Sequence, residues 1–134
     1  MKRLMAVMLF ASGLATVSEA QSLNLRVTIP FEFRAGKQVM PAGEYTLQDH
    51  GPWLILRQQD TGRSSGFLIS NGVVRSNENR SASVTFHRYG EIYFLSAVWA
   101  GYSRDGREVP PTPVEKELAR KGGSPSSATI LAQK

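Results

Sequence analysis

The strict alternation of apolar and polar residues near the start of the chain constrains the fold more than any other feature of the sequence. In LNLRVTIPFEF, from Leu23 to Phe33, every odd-numbered position is apolar. Successive side chains of a β-strand point to opposite faces, so this pattern predicts a strand with one buried face. Pro30 falls on the polar face, and its missing N–H predicts a position at a sheet edge or a bulge.

Similar short segments, separated by glycine, proline and asparagine, follow along most of the chain and indicate an all-β protein. The predicted strands are Leu23–Phe33, Gln38–Met40, Glu44–Asp49, Trp53–Gln58, Gly66–Ser70, Ala82–Arg88 and Glu91–Trp99. Asp49 to Pro52 forms a compact turn, so the strands on either side of it should make a hairpin. The predicted fold is an antiparallel β-sandwich or partly open β-barrel of six or seven strands with one short C-terminal helix.

The segment FHRYGEIYFLSAVW, residues 86–99, is rich in aromatic residues and predicts a hairpin with Gly90 and Glu91 at its tip. The expected facing pairs are Tyr89 with Ile92, Arg88 with Tyr93, His87 with Phe94, and Phe86 with Leu95. Arg88 and Tyr93 would form a cation–π pair. The second strand is apolar on both faces, which favours a central position in the sheet.

These aromatic residues allow two interpretations. Burial in the core is the favoured one, because large rings contribute strongly to packing. In the alternative, Tyr89, Tyr93, Trp99 and Tyr102 form an exposed platform that binds a ligand such as a sugar.

One helix is predicted after a loop over residues 100–111, and a disordered tail follows it. Thr112 is a suitable N-cap, Pro113 suits the first helical position, and Glu115 completes a capping box. The predicted helix covers residues 113–121, and Gly122 ends it. Residues 123–134 are small and polar apart from Ile130 and Leu131, which predicts disorder. In the alternative, the TILA segment adds a strand to the sheet edge of another chain.

The first twenty residues predict an export signal. Lys2 and Arg3 precede an apolar run, and Ser18 and Ala20 supply the small residues of a cleavage site. We therefore expect a signal peptide at residues 1–20, a β domain at 21–122, and a periplasmic or extracellular location. The apolar run is short for a transmembrane helix, so we expect no stable membrane anchor after cleavage.

Composition and motifs argue against several classes of function. The chain has 16 basic and 11 acidic side chains, but the arginines are dispersed among acids, which predicts no nucleic-acid binding. It has no cysteine and only two histidines, so no metal site and no cofactor are predicted. Ser96, His87 and Glu91 could be drawn as a catalytic triad, but Glu91 at the hairpin tip could not orient the imidazole. No catalytic residue is predicted.

Two blocks carry a resemblance to a known group of proteins: IPFEFRAGKQVMPAGEYTL at residues 29–47 and FHRYGEIYFLSAVWAGYSRDGREVP at residues 86–110. They resemble a family of uncharacterised short exported bacterial proteins that share IPFxFxxG…PAGxY and FHRYGxxYFLxxVW blocks. The resemblance implies a common fold and export, and it implies no activity.

The sequence therefore predicts an exported, non-catalytic binding or envelope-associated accessory protein. The alternative is a carrier or lectin-like module for a small apolar or sugar ligand. The expected partner is an envelope protein or a small ligand, and the sequence leaves the oligomeric state open.

Overall fold

The computed structural model describes residues 23–59, 64–77 and 80–133. Two predicted features lie outside the described residues. One is the signal peptide at residues 1–20, and the other is a turn that the sequence Asp60-Thr61-Gly62 predicts before the strand Gly66–Ser70. No helix in the described part of the chain is long and apolar enough to cross a bilayer.

The described residues form eleven strands and one helix. The strands are β1 (Asn24–Ile29), β2 (Phe33–Ala35), β3 (Gln38–Met40), β4 (Gly43–His50), β5 (Trp53–Gln58), β6 (Ser64–Ile69), β7 (Asn71–Val74), β8 (Ser83–Tyr89), β9 (Ile92–Trp99), β10 (Asp105–Glu108) and β11 (Ser126–Leu131). The helix is α1 (Pro113–Gly122).

Two sheets pack against each other. The first has the strand order β1-β4-β5-β6 and is antiparallel throughout. The second has the order β11-β8-β9-β10-β7. The short β2–β3 hairpin joins the second sheet through a parallel bridge between Arg34 and Phe94. The chain passes from one sheet to the other at Ser70, between β6 and β7, which makes a corner of the sandwich.

The core lies between the inner faces of the two sheets. Its largest fully buried side chains are Tyr45, Phe33, Phe86, Ile29, Met40, Leu47, Leu54, Leu56, Val27, Val84 and Val98. Phe33 packs edge-to-face against Tyr45 and Phe86, with ring centroids 5.3 and 5.5 Å apart. The all-β sandwich with one helix is thus confirmed as the fold class, although it has eleven strands in the described residues rather than six or seven.

The aromatic hairpin has the predicted pairing at its tip. Tyr89 faces Ile92, and the next three pairs follow as expected to Phe86 and Leu95. Gly90 has a φ of +64°, which glycine adopts readily in a tight turn. Beyond these pairs the register shifts, because Thr85 faces Ala97 and leaves Ser96 as an extra residue in β9. This β-bulge was not predicted.

The first predicted strand is divided in two. Its alternation is confirmed in β1, where Leu25, Val27 and Ile29 are buried and the intervening residues are exposed. β1 lies at the edge of the first sheet, as Pro30 predicted. The ladder stops at Pro30, and the chain crosses to the other sheet, where β2 begins at Phe33.

Two strands lie in segments that were predicted as loops. β7 lies in the polar segment of residues 71–81, which the sequence predicts as a loop between the strands Gly66–Ser70 and Ala82–Arg88, and β10 lies within the loop expected at residues 100–111. They pair with each other, and Gly106 of β10 also pairs with Trp99 of β9. These polar segments are strands because of backbone hydrogen bonds to distant partners, which local sequence patterns do not reveal.

The helix agrees with its prediction, but the predicted disordered tail at 123–134 is wrong for residues 126–131. Thr112 is the N-cap, and its hydroxyl accepts a hydrogen bond from the N–H of Glu115. After α1, the chain forms β11, which pairs antiparallel with β8 from Ser126 to Leu131. The TILA segment therefore adds to a sheet edge of its own chain. Next to it, the N–H of Gln133 donates to the carbonyl oxygen of Arg26 and links β11 to β1.

The β2–β3 turn supports β6 from the inside, and this gives a test of the packing. Gly36 has a φ of +61°, and a Cβ atom there would lie 2.6 Å from Cδ2 of Leu68. We expect Gly36→Ala to lower the free energy of unfolding by about 1–2 kcal/mol for the left-handed backbone and by about 1–3 kcal/mol more for overpacking. Urea unfolding measures both effects.

Gly51→Ala is the matched control for this substitution. Gly51 has a φ of +58°, with nothing within 4 Å of a Cβ atom placed there. Only the backbone cost of about 1–2 kcal/mol is therefore expected. Equal losses for the two variants would contradict the described contact between the β2–β3 turn and Leu68.

Candidate functional site

The strongest candidate site is an apolar surface on the outer side of the first sheet. We call it the Trp53 face and define it as Trp53 and Ile55 of β5 with Phe67 and Ile69 of β6. The strand register creates it, since Trp53 faces Ile69 and Ile55 faces Phe67 across the two strands. Side chains that lie directly opposite each other on one face of a sheet are close enough to be in contact.

Three of these four side chains are largely open to water. Phe67 is 62% exposed, Ile69 is 60% exposed and Trp53 is 44% exposed, whereas Ile55 is buried between them. His50, Trp53, Ile55 and Phe67 line a shallow hollow of about 410 Å³. Isolated exposed apolar residues are ordinary, but a contiguous group that includes two aromatic rings typically marks a binding surface.

Polar side chains border the Trp53 face. His50 lies opposite Trp53, and Gln48 lies opposite Ile55 on β4. Exposed Arg57 continues the outward row of β5. Further along, the Arg26 guanidinium pairs with the Glu44 carboxylate at 3.0 Å. An apolar centre with a polar margin is the usual composition of a protein interaction surface.

The sequence analysis missed this surface, although the sequence contained a signal for it. WLIL at residues 53–56 and FLI at residues 67–69 are continuous apolar runs. Leu54, Leu56 and Leu68 fill the core, so the residues between them must point outward.

Of the four aromatic residues that form a ligand platform in the alternative interpretation, Tyr89 of β8 and Tyr93 of β9 lie near the hairpin tip on opposite faces of the sheet. Tyr93 packs against the core, with its ring stacked on Phe31 at a centroid distance of 3.7 Å. The Arg88 guanidinium lies 5.5 Å from the Tyr93 ring, which confirms the predicted cation–π pair. Tyr89 contacts Phe94 edge-to-face on the outer side.

Of the other two residues of this platform, Trp99 lies at the far end of β9, and Tyr102 lies in the turn that follows the strand. The Arg75 guanidinium covers Trp99 at 5.4 Å. Tyr102 is 71% exposed, with a φ of +52°. Trp99 lies six residues from Tyr93 along an extended strand, a distance of about 20 Å. The structure therefore does not bring the four residues together on one surface.

A second group of interest lies on the outer face of the second sheet. The Ser96 hydroxyl oxygen at the β9 bulge is 3.0 Å from Nε2 of His87. Oε1 of Glu115, on α1, is 3.7 Å from Nδ1 of His87. The sequence analysis found no acidic partner for His87, because Glu115 reaches it only through the docking of α1 onto β8.

Burial dominates the electrostatics of this group. Glu115 is only 5% exposed. Loss of hydration raises the pKa of its carboxyl group, and His87 partly opposes that rise. Burial also raises the pKa of the Tyr89 hydroxyl, and the nearby Glu115 carboxylate raises it further. The carboxyl group on α1 is thus held in a setting that favours its protonated form.

The order serine, histidine, carboxylate matches that of a hydrolase triad, but the surroundings do not suit catalysis. Ser96 is 9% exposed and lies in the middle of a central strand. A nucleophile must be within reach of a substrate carbonyl carbon, together with donors for the oxyanion. The distance from Glu115 to His87 also exceeds hydrogen-bond length. We interpret these residues as the polar contact that holds α1 on the sheet.

The described residues contain no group of three or more histidine, aspartate or glutamate side chains arranged to hold a metal ion. A further hollow, of about 380 Å³, lies between Arg34, Lys37, Phe94 and the start of α1. The Arg34 guanidinium lies 5.8 Å from the Phe94 ring within it. This hollow could hold a small molecule with an apolar body and a negative charge.

No family model, curated protein or solved structure matches this chain. The predicted family resemblance therefore stays a prediction.

The raised pKa of Glu115 leads to a prediction about stability and pH. The folded protein binds a proton at Glu115 more readily than the unfolded chain does, so stability falls as the pH rises from the ordinary carboxyl pKa of about 4.3 to the raised value. The Glu115→Gln variant has no carboxyl group at this position, so it does not lose stability in this way as the pH rises. We expect the variant to gain stability relative to the wild type across that window and the difference to become constant above it, as measured by urea unfolding at a series of pH values.

Glu117→Gln provides the control on the same helix, because the Glu117 side chain is 52% exposed and pairs with Arg120 and Lys121. Its difference from the wild type should change little with pH. A Glu115→Gln variant that loses stability relative to the wild type as the pH rises would show that the buried carboxylate is favoured in its charged form, contrary to this account.

Proposed function

We propose that the protein is a non-catalytic binding module that acts after export, and that it binds an apolar surface of an envelope partner protein through the Trp53 face. The observation that carries this proposal is the exposure of Trp53, Phe67 and Ile69 side by side on a rigid sheet. Exposed aromatic groups on a preformed scaffold lose little conformational entropy on binding and commonly act as anchors in interfaces.

The shape of the Trp53 face favours a protein partner over a small molecule. Small-molecule sites are concave and bury about 70–90% of the ligand surface. Phe67 and Ile69 are 62% and 60% exposed, so they form a ridge on the sheet, and the hollow beside Phe67 is too shallow to enclose a small molecule. A projecting apolar ridge is buried most completely by a complementary groove on another protein. The polar margin formed by His50, Gln48 and Arg57 would then lie at the rim of the interface.

Export is supported by the N-terminal pattern of residues 1–20, which precedes the described domain. The mature protein would then meet envelope or extracellular partners. The absence of cysteine is compatible with an oxidising compartment, because the sandwich core does not depend on disulfides.

The hollow beside Arg34 favours a second candidate function, that of a carrier for a small apolar ligand. Its volume of about 380 Å³ falls within the range of small-ligand sites. Apolar side chains from Phe94, Pro113 and Val114 line much of it, with Arg34 and Lys37 at its border. This candidate predicts binding that is insensitive to changes on the Trp53 face.

The lead proposal predicts the effect of removing the two exposed rings. In a pull-down from the native envelope, the Trp53→Ala/Phe67→Ala double variant should bind a specific partner with at least tenfold lower affinity than the wild type. The reason is that anchor side chains typically contribute about 1–2 kcal/mol or more each to binding. In Trp99→Phe protein, where Trp53 is the sole tryptophan, partner binding should shift the fluorescence emission to the blue as water is excluded.

Tyr102→Ala serves as the control, because Tyr102 is 71% exposed and lies outside the Trp53 face. This variant should capture the partner as the wild type does. If the double variant captures the same partner with undiminished affinity, the Trp53 face is not the binding surface and the proposal fails.

A further inference from the structure

The outer edge of β6 is an open hydrogen-bonding edge of the first sheet. β6 pairs with β5 on one side, and no described strand pairs with its other side. The N–H of Ser70 donates to the carbonyl oxygen of Pro52, at the end of the β5–β6 ladder. Because antiparallel strands alternate the direction of their backbone groups, the N–H and C=O groups of Phe67 and Ile69 point away from β5, toward the open side.

This edge lacks most of the usual protection against pairing with another chain. Exposed edges are commonly guarded by charged residues, proline or bulges. Residues 64–70, SSGFLIS, contain no charged residue and no proline. The register with β5 shifts near Arg57, so a bulge at Ser65 limits the regular edge to residues 66–70.

The opposite edge of the same sheet is guarded. Pro30 follows directly after the end of β1, and Gln133 covers the middle of the strand through two hydrogen bonds. The N–H of Gln133 donates to the carbonyl oxygen of Arg26 at 2.8 Å, and its side-chain amide donates to the Thr28 hydroxyl at 2.6 Å. The contrast shows that β6 is the edge of this sheet that can accept another strand.

We propose that β6 pairs antiparallel with β6 of a second copy of this chain, with Leu68 on the two-fold axis. In this register Phe67 faces Ile69 of the other copy, and their outward-pointing backbone groups exchange hydrogen bonds on both sides of the axis. The two apolar side chains also meet across the junction. The contact is isologous, so it closes at a dimer.

Charge favours a second copy at this edge over contact elsewhere on the surface. The chain has a formal net charge of +5, so two copies repel each other over much of their surface. Residues 64–70 include no charged side chain, so pairing of two β6 edges brings no charges of this segment together. Arg57 lies opposite Ser64, at one end of β6. In an antiparallel pair the two Arg57 side chains therefore lie at opposite ends of the junction.

The dimer would extend the binding surface. A two-fold axis at an antiparallel junction is perpendicular to the sheet, so both Trp53 faces lie on the same side of one continuous eight-stranded sheet. The paired segment is short, and an interface of this size falls in the class of weak, reversible contacts. The inference does not depend on the proposed partner, because the edge uses backbone groups and the partner would use the side chains of the face.

Analytical ultracentrifugation of the protein expressed from its complete sequence tests the dimer. We expect a concentration-dependent rise from monomer to dimer mass between micromolar and sub-millimolar protein, with no larger species. Phe67→Lys places charge at the junction and should weaken association at least tenfold. Tyr102→Lys, which adds the same charge at an exposed site elsewhere, should leave association unchanged.

The Trp53→Lys variant distinguishes pairing through the β6 edge from contact through the Trp53 face. Trp53 lies on β5, one strand away from the junction, so this variant should still dimerise even if it no longer binds a partner. Loss of the dimer in Trp53→Lys together with its loss in Phe67→Lys would indicate that the copies stack through their faces, and it would overturn the proposed pairing. A wild-type protein that stays monomeric throughout the concentration range would overturn it as well.

Cysteine cross-linking tests the register, because the chain contains no cysteine of its own. Facing residues of a hydrogen-bonded antiparallel pair are about 5.5 Å apart between Cα atoms, which a disulfide can span. A mixture of Phe67→Cys and Ile69→Cys proteins should therefore form the mixed disulfide faster than either protein forms its own.

Val74→Cys is the cross-linking control, since Val74 is 73% exposed and belongs to β7. It should cross-link to Ile69→Cys no faster than random collision allows. Equal rates for all combinations would rule out the proposed register, and circular dichroism of each variant confirms that the compared proteins are folded.

Discussion

The burial of β9 on both faces is the constraint on which the rest of the structure depends. Phe94, Leu95, Ser96, Ala97 and Val98 are all at most 9% exposed. One face of this strand packs against the first sheet, which explains the sandwich. The other face lies toward α1, which contacts the neighbouring strand β8, and toward the start of the helix, where Thr112, Pro113 and Val114 lie around a hollow beside Phe94. Five consecutive buried residues in one strand therefore require three layers at this point.

β5 has the same apolar character on both faces but a different outcome. Leu54 and Leu56 fill the core, while Trp53 and its neighbours on β6 point outward. The one helix in the described residues lies on the second sheet, so the outer face of the first sheet has no cover among them. β5 and β9 thus have similar apolar patterns but differ in the exposure of their outer faces, because the helix lies on the sheet that contains β9. This difference makes the Trp53 face the strongest candidate site.

Local patterns predicted the elements whose stability is local. The β8–β9 hairpin needs only a two-residue turn and matching side chains, and its first four pairs were predicted correctly. The helix was predicted from Thr112, Pro113 and Glu115, which act within one turn. In contrast, β10 and β11 exist through pairing with residues far along the chain, and neither has a periodic apolar pattern strong enough to indicate a strand. The Trp53 face was predictable in part, from the apolar runs of β5 and β6, but its exposure depends on where the helix docks.

Glu115 shows how one residue can satisfy a local rule and serve a distant contact. In a capping box its side chain would return to the N-cap backbone, and the sequence predicted that role. The N–H of Glu115 does take part in the cap, because it donates to the Thr112 hydroxyl oxygen. Its carboxyl group instead lies beside His87 on β8. The local signal therefore placed the helix correctly along the chain, while the distant contact decides which face of the helix meets the sheet.

Phe67 and Ile69 connect the two surfaces proposed for β6, yet the surfaces depend on different chemical groups. Side chains of a strand project perpendicular to the sheet, whereas its N–H and C=O groups lie within the plane. The same two residues can therefore contribute apolar area to the Trp53 face and hydrogen bonds to the edge without competition. A partner on the face leaves the edge open, and a second copy at the edge leaves most of the face exposed. The geometry of an extended strand thus permits dimer formation and partner binding to occur together.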